Sequence, residues 1–178
     1  MAVLKIYNDI VDDQEKLVLQ EAGTDSTTFS DIRDFISKLS PDDPDIDIRL
    51  HCDGGDCVEG WSIYDALRQT DKKISATVEG KCSSIATIIL LTAPLERRYA
   101  YRNASICIHN PALAGYEVRS ERLTFEELEQ QADKMRNLAS QLRVETGKLL
   151  DLYVSRTGSD RKLLSELMDK DIYIDMQT

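Results

Sequence analysis

The chain has 178 residues, 42% hydrophobic and 30% charged, with a formal net charge of −10 and no Pro/Gly/Ser linker, so a single domain over 1–178 with a full core is expected. The acidic balance excludes nucleic acid as a natural partner, because phosphate binding needs clustered positive charge, whereas a basic substrate tail or scaffold peptide would be attracted. Met1-Ala2-Val3 opens without a charged, apolar leader and the longest apolar run, Ile85 to Leu91, is too short to cross a bilayer, so a cytoplasmic protein without a membrane partner is expected.

In chain order, Leu4 to Ile10 reads as a strand and Thr24 to Leu39 as a short helical region. Residues 41–47 form an acidic, proline-rich turn. Ile46-Asp47-Ile48-Arg49-Leu50 alternates as a strand and ends in His51-Cys52-Asp53-Gly54-Gly55, where adjacent glycines permit a turn with exposed N–H groups. Ile74 to Val78 is a further strand. It leads to Gly80-Lys81-Cys82-Ser83-Ser84-Ile85-Ala86 and then to an apolar segment that reads as a buried helix. Ser83 or Ser84 would stand at that helix N-terminus, where free N–H groups favour negative charge, the setting that acyl transfer by a serine needs.

Ala104 to Ile108 alternates as another strand, and His109 stands at its end beside Asn110-Pro111, well placed as a general base. Ala112 to Tyr116 reads as a connector. Thr124-Phe125-Glu126-Glu127 has the spacing of a capping box, and Leu128, Met135, Leu142 and Leu149 then recur at sevens. A helix of about 30 residues spans roughly 45 Å, more than one face of a small domain needs, so part of it projects or packs on another subunit, the alternative being a helix that lies along its own sheet. The cysteines, Cys52, Cys57, Cys82 and Cys107, fit no zinc spacing, and neither a metal nor a cofactor is expected. Cys82 as a thiol nucleophile and Lys81 as the base of a Ser–Lys dyad are the rival readings of the serine segment. His51 reads as structural or as an outer contact.

Glycine pair, serine, histidine and aspartate occur in an order that resembles the proteolytic subunit of the Clp protease family, serine peptidases of the ClpP/crotonase superfamily. Leu50 to Asp65 is similar to I-N-S-P-G-G-x-V-x-x-G-x-x-I-Y-D, Gly80 to Ala86 to G-x-A-A-S-M-G, and Arg98 to Pro111 to R-x-x-x-P-N-S-x-x-M-I-H-Q-P. The resemblance implies Ser84 as nucleophile, His109 as base and Asp171, after Thr157-Gly158 and a shorter helix, as the orienting carboxylate, with Asp169 its close competitor. It implies oxyanion N–H groups from Gly54 and Ile85. It also implies an α/β fold with a repeated β-β-α spiral core, a handle over about 112–156 ending in the long helix, a polypeptide substrate and a homo-oligomer of rings. Whether an ATPase partner exists stays open.

The departures carry information too. Asp53 replaces the family's proline and sets a carboxylate beside the oxyanion turn, which opposes catalysis unless it is paired. Cys52, Ile85 and Ala86 replace serine, methionine and glycine. The opening strand and the Thr24–Leu39 region resemble the ClpP-related head-maturation proteases of tailed phages and prophages, and the chain ends at Thr178 in what reads as a truncated C-terminus. A catalytically silent or latent scaffold subunit is the alternative from another class, and acyl-CoA chemistry as in crotonases a third.

Overall fold

A computed structural model describes residues 1–43, 45–113 and 123–175. Strands β1 (Ala2–Ile6), β2 (Asp45–Cys52) and β3 (Lys73–Ser83) run parallel, with Leu4 opposite Ile48 and Ile48 opposite Ala76. Period-two alternation sends Leu4, Ile6, Ile46, Ile48, Leu50, Ile74, Ala76 and Val78 to one face, where they form the core. The other face is polar, unlike the usual parallel sheet covered by helices on both sides. There Tyr7 and Tyr101 hydroxyls donate to Glu79 at 2.6 and 2.9 Å, and Arg49 bridges Asp47 and Glu79 at 2.6 and 3.2 Å. The Tyr7 hydroxyl, then Tyr101 and Arg49, hold the Glu79 carboxyl below its ordinary range.

Beyond β3 the sheet edge is shared. β4 (Arg98–Ala100) pairs with residues 76–78, β5 (Ser105–Cys107) with residues 81–83, both parallel, and β6 (Tyr173–Asp175) closes antiparallel on β5. β3 therefore runs through the glycine-serine segment to Ser83, where the sequence placed a connection after Val78. The opening strand stops at Ile6, earlier than its apolar pattern suggests, and Ile10 makes only isolated bridges to Thr27 and Gly55.

Helix α1 (Asp13–Glu21) is absent from the sequence reading because it buries no residue and so shows no helical stripe; its start is capped by the Asp12 carboxylate. α2 (Phe29–Ser37), within the expected 24–39 region, opens with a Thr28–Asp31 capping box. α3 (Cys57–Arg68) and α4 (Ala86–Leu90) pack on the apolar face, and all five residues of α4 are buried.

The long helix α5 (Phe125–Thr157) begins at the expected capping box and has 33 residues, about 50 Å. Its buried residues are Leu149, Leu150 and Tyr153, all near its C-terminal end, whereas Leu128 and Met135 are 53% and 41% exposed. The apolar stripe thus leaves the domain for most of its length. Tyr153 joins α5 to α4 through a 2.7 Å hydroxyl contact with Thr87, and the Arg156 guanidinium caps the Leu91 and Ala93 carbonyls at 2.9 Å each. Gly158, at φ 71, ends the helix in the left-handed conformation that glycine adopts most easily, and α6 (Arg161–Lys170) follows. The expected connector 112–116 lies partly outside the described residues.

Candidate active site

Ser84 stands on the turn between β3 and α4 with φ 53, one of two non-glycine residues at positive φ among the described residues. Such a backbone persists only where neighbours hold it. Its N–H donates to the Cys107 carbonyl at 2.9 Å, and its own carbonyl accepts from the Thr87 N–H at 3.0 Å and the Thr87 hydroxyl at 2.6 Å. The turn separates the two serines that sequence spacing left equivalent. Ser83 is buried, its hydroxyl without a partner among the described residues, while Ser84 is half-buried. Because α4 is only five residues long and begins after Ile85, an aligned helix dipole contributes little to the site.

The glycine turn reaches this serine directly. A Cβ on Gly54, which sits at φ 114, would lie 2.6 Å from Ser84 Cβ and 3.2 Å from Ser84 Oγ. One on Gly55, at φ 137, would lie 1.9 Å from the Ile10 carbonyl oxygen. The Ile10 bridge fixes the turn, its N–H donating to Gly54 O at 2.7 Å and its carbonyl accepting from Asp56 N–H at 2.8 Å. Sequence reasoning missed this contribution of Ile10, because only tertiary pairing brings the chain's opening to the glycines. The Gly54 N–H, expected at the oxyanion, donates instead to Cys52 Sγ at 3.3 Å. The N–H groups of Gly55 and Ile85 have no acceptor among the described residues. Gly60 leaves room for Ile85, whose Cγ1 would lie 2.2 Å from a Cβ at that position.

On the other side, His109 follows β5 and its Nδ1 lies 3.2 Å from Asp171 Oδ1. Asp171 is the left-handed C-cap of α6, at φ 52, and the same Oδ1 accepts from the Cys107 thiol at 3.4 Å. Asp169, the competing carboxylate, accepts from Asn110 Nδ2 at 2.8 Å. Among the described residues no hydrogen bond joins Ser84 Oγ to His109, so the serine with its glycine turn and the His109–Asp171 pair form two halves linked through Cys107.

Asp53 is not left bare beside the turn, because Lys81 Nζ forms an ion pair with its carboxylate. The hydrogen bond that Lys81 donates to Asp53, with the charge of that carboxylate, holds the Lys81 ammonium above the ordinary lysine value, which disfavours Lys81 as a neutral base. Replacing Lys81 by Met should lower kcat/KM about threefold to tenfold by exposing the Asp53 charge, and Asp53→Asn in the same chain should restore it. Peptide kinetics on the two variants check this, and an equal loss in the double variant would show that Lys81 acts otherwise.

The remaining candidates are structural. His51 is exposed and its ring lies over Gly80, where a Cβ would fall 2.2 Å from Nδ1. Cys82 is fully buried, and burial pushes its thiol far up; burial also lifts Cys52 to about 11. Neither thiol ionises near neutral pH. All four cysteines are free, and no metal-holding cluster of His, Cys, Asp and Glu occurs among the described residues. No helix among them is long and apolar enough to cross a membrane.

A cleft of about 1170 Å³ adjoins the glycine turn, bounded by Gly54, Gly55, Trp61, Leu113 and Glu145. The Trp61 indole N–H donates to Glu145, tying α3 to α5 at this cleft.

Comparison with known families matches residues 2–178 to Clp protease. An ATP-dependent Clp protease proteolytic subunit of Aethionema cordifolium is 26% identical over 170 residues, covering 95% of this chain and 80% of its own. Proteolytic subunit 1 of Chlamydia muridarum is 23% identical over 172 residues, with 93% and 83% covered, and the subunit of Nuphar advena 27% over 171, with 95% and 78%. The mixed α/β fold with its long helix after β5 is the one expected from the resemblance, and the chain belongs to the Clp protease family, peptidases of the serine type.

Proposed function

We propose that the protein is a single-domain serine endopeptidase with Ser84 as nucleophile, His109 as base and Asp171 as the orienting carboxylate. The observation that carries this reading is the Ser84 turn at φ 53, packed against a glycine turn and tied through Cys107 to the strand that delivers His109. His109 takes the hydroxyl proton as Ser84 Oγ attacks the peptide carbonyl, and Asp171 stabilises the imidazolium. The oxyanion is bound by N–H groups of Ile85 and the glycine turn, where Gly55 holds the uncommitted donor and Gly54 supplies close approach. His109 then protonates the leaving amine, and water hydrolyses the acyl-enzyme.

The projecting part of α5 suits a homo-oligomer whose subunits pack along it, with Phe125, Leu128 and Met135 exposed. Among the described residues the cleft is lined by Asp9, Glu15, Asp56, Asp65 and Glu145 against Lys148, with Asp53 already paired to Lys81, which favours basic polypeptide segments. Cytoplasmic head maturation in a phage or prophage is the finer reading, supported by the resemblance of the 24–39 region. The relatives are named as ATP-dependent, and assays with and without a Clp ATPase decide whether this chain shares that dependence.

A latent scaffold subunit is the second reading, favoured by the missing Ser84–His109 hydrogen bond among the described residues. Apo sites often close such bonds only with substrate. A fluorophosphonate probe with peptide mapping separates the readings. The expected adduct is on Ser84 and is lost in His109→Ala, whereas a silent subunit leaves Ser84 unlabelled.

A further inference from the structure

Cys107 touches both halves of the site. It ends β5, is 2% exposed and pairs in register with Ser83 on one side and Tyr173 on the other. Its carbonyl accepts the Ser84 N–H at 2.9 Å, and its thiol donates at 3.4 Å to Asp171 Oδ1, the oxygen that lies 3.2 Å from His109 Nδ1. The 3.4 Å separation is an ordinary S–H···O length.

Asp171 needs such a partner. It occupies the single left-handed residue after α6, and its side chain is 67% exposed. A carboxylate so placed rotates freely into water unless a fixed group holds it. Its neighbour Asp169 is already engaged with Asn110. The Cys107 thiol sits on a strand paired on both sides, faces the carboxylate from the buried side and leaves the imidazole its approach. At this position the family motif has methionine, which carries no donor.

We propose that Cys107 is a positioning residue whose S–H donor holds Asp171 Oδ1 against His109 Nδ1, so that the imidazole keeps the tautomer and orientation needed to deprotonate Ser84. This rests on the assignment of Ser84, His109 and Asp171 made above. Burial, followed by the hydrogen bond to Asp171 and its charge, lifts the Cys107 thiol to about 11, so it remains a donor throughout the working pH range and is not itself a nucleophile.

Two substitutions separate positioning from packing. Cys107→Val keeps the site filled and apolar, with slightly more volume, without a donor, and Cys107→Ser retains a donor with less volume. The parent protein is compared with both by the rate of fluorophosphonate labelling at Ser84, by kcat and KM on a cleavable peptide, and by Tm. The valine variant is expected to lose about tenfold in kcat and labelling rate with KM within about twofold and an undiminished Tm, whereas the serine variant recovers to within about threefold of the parent despite a lower Tm. Packing alone predicts the reverse order, with valine active and serine impaired, and that result overturns the proposal, as does an equal loss in both. A parent protein unlabelled at Ser84 overturns the serine-peptidase assignment itself, whereas a labelled parent matched by a fully active Cys107→Val overturns only the role of the thiol.

Discussion

Ser84→Ala is expected to lower kcat on a cleavable peptide by at least about 10³-fold while leaving thermal unfolding within about 1 kcal/mol of the parent. The loss is large because, in the proposed mechanism, the hydroxyl oxygen forms the bond to the peptide carbonyl and nothing beside it can substitute. Cys82 is wholly buried with its thiol pushed far up, and Lys81 is held as a cation by Asp53. Stability changes little because the Ser84 hydroxyl makes no hydrogen bond among the described residues. Ser83→Ala is the matched control. Its hydroxyl is buried without a partner among the described residues, so removal should stabilise by about 1 kcal/mol and leave turnover within about twofold. Steady-state kinetics and urea unfolding on both variants check the pair, and a dead Ser83→Ala beside an active Ser84→Ala would reverse the assignment.

The second large effect is expected at Gly54. A methyl group there meets Ser84 Cβ at 2.6 Å and the Ser83 carbonyl oxygen at 3.0 Å, on a backbone at φ 114 that side chains rarely adopt. The turn cannot retreat, because the Ile10 N–H grips the Gly54 carbonyl at 2.7 Å and the Asp56 N–H grips Ile10 from the other side. Either the turn or Ser84 must shift by several tenths of an ångström. Gly54→Ala should therefore lose about 10²-fold or more in kcat, since reacting groups tolerate little displacement. It should also lose about 2–4 kcal/mol in stability from backbone strain and overpacking. Kinetics at a temperature where the variant is fully folded distinguish the two losses, and parental activity there would mean that this glycine is not in contact with the working serine.

The pairing of Asp53 with Lys81 shows how a local departure is tolerated. A carboxylate next to an oxyanion turn opposes the developing negative charge, and the neighbouring strand supplies the compensating cation 28 positions later. In the sequence these two residues looked like separate anomalies, one a threat to catalysis and the other a rival base. Parallel pairing of β2 with β3 makes them one neutralised unit.

What the sequence by itself determined was local and periodic. Alternation marked β2, the first half of β3 and β5, because period-two patterns report directly which face is buried. Capping chemistry placed the start of α5, because it depends on residues within one turn, whereas its end at Thr157-Gly158 came from the family resemblance. The ordered motifs carried the family and the candidate residues Ser84, His109 and Asp171. Tertiary structure decided whatever depends on residues far apart in the chain. It separated Ser83 from Ser84 by turning one hydroxyl inward, committed the Gly54 N–H to Cys52, and set Asp171 rather than Asp169 opposite His109. It also formed α1, whose surface position leaves no apolar stripe to read, and brought Ile10 to the glycine turn and Cys107 to Asp171. The physical reason is the same in each case. Periodicity and capping encode which face of a segment is buried and where it ends, whereas the partner that meets that face is chosen only when the sheet closes and the chain packs against it.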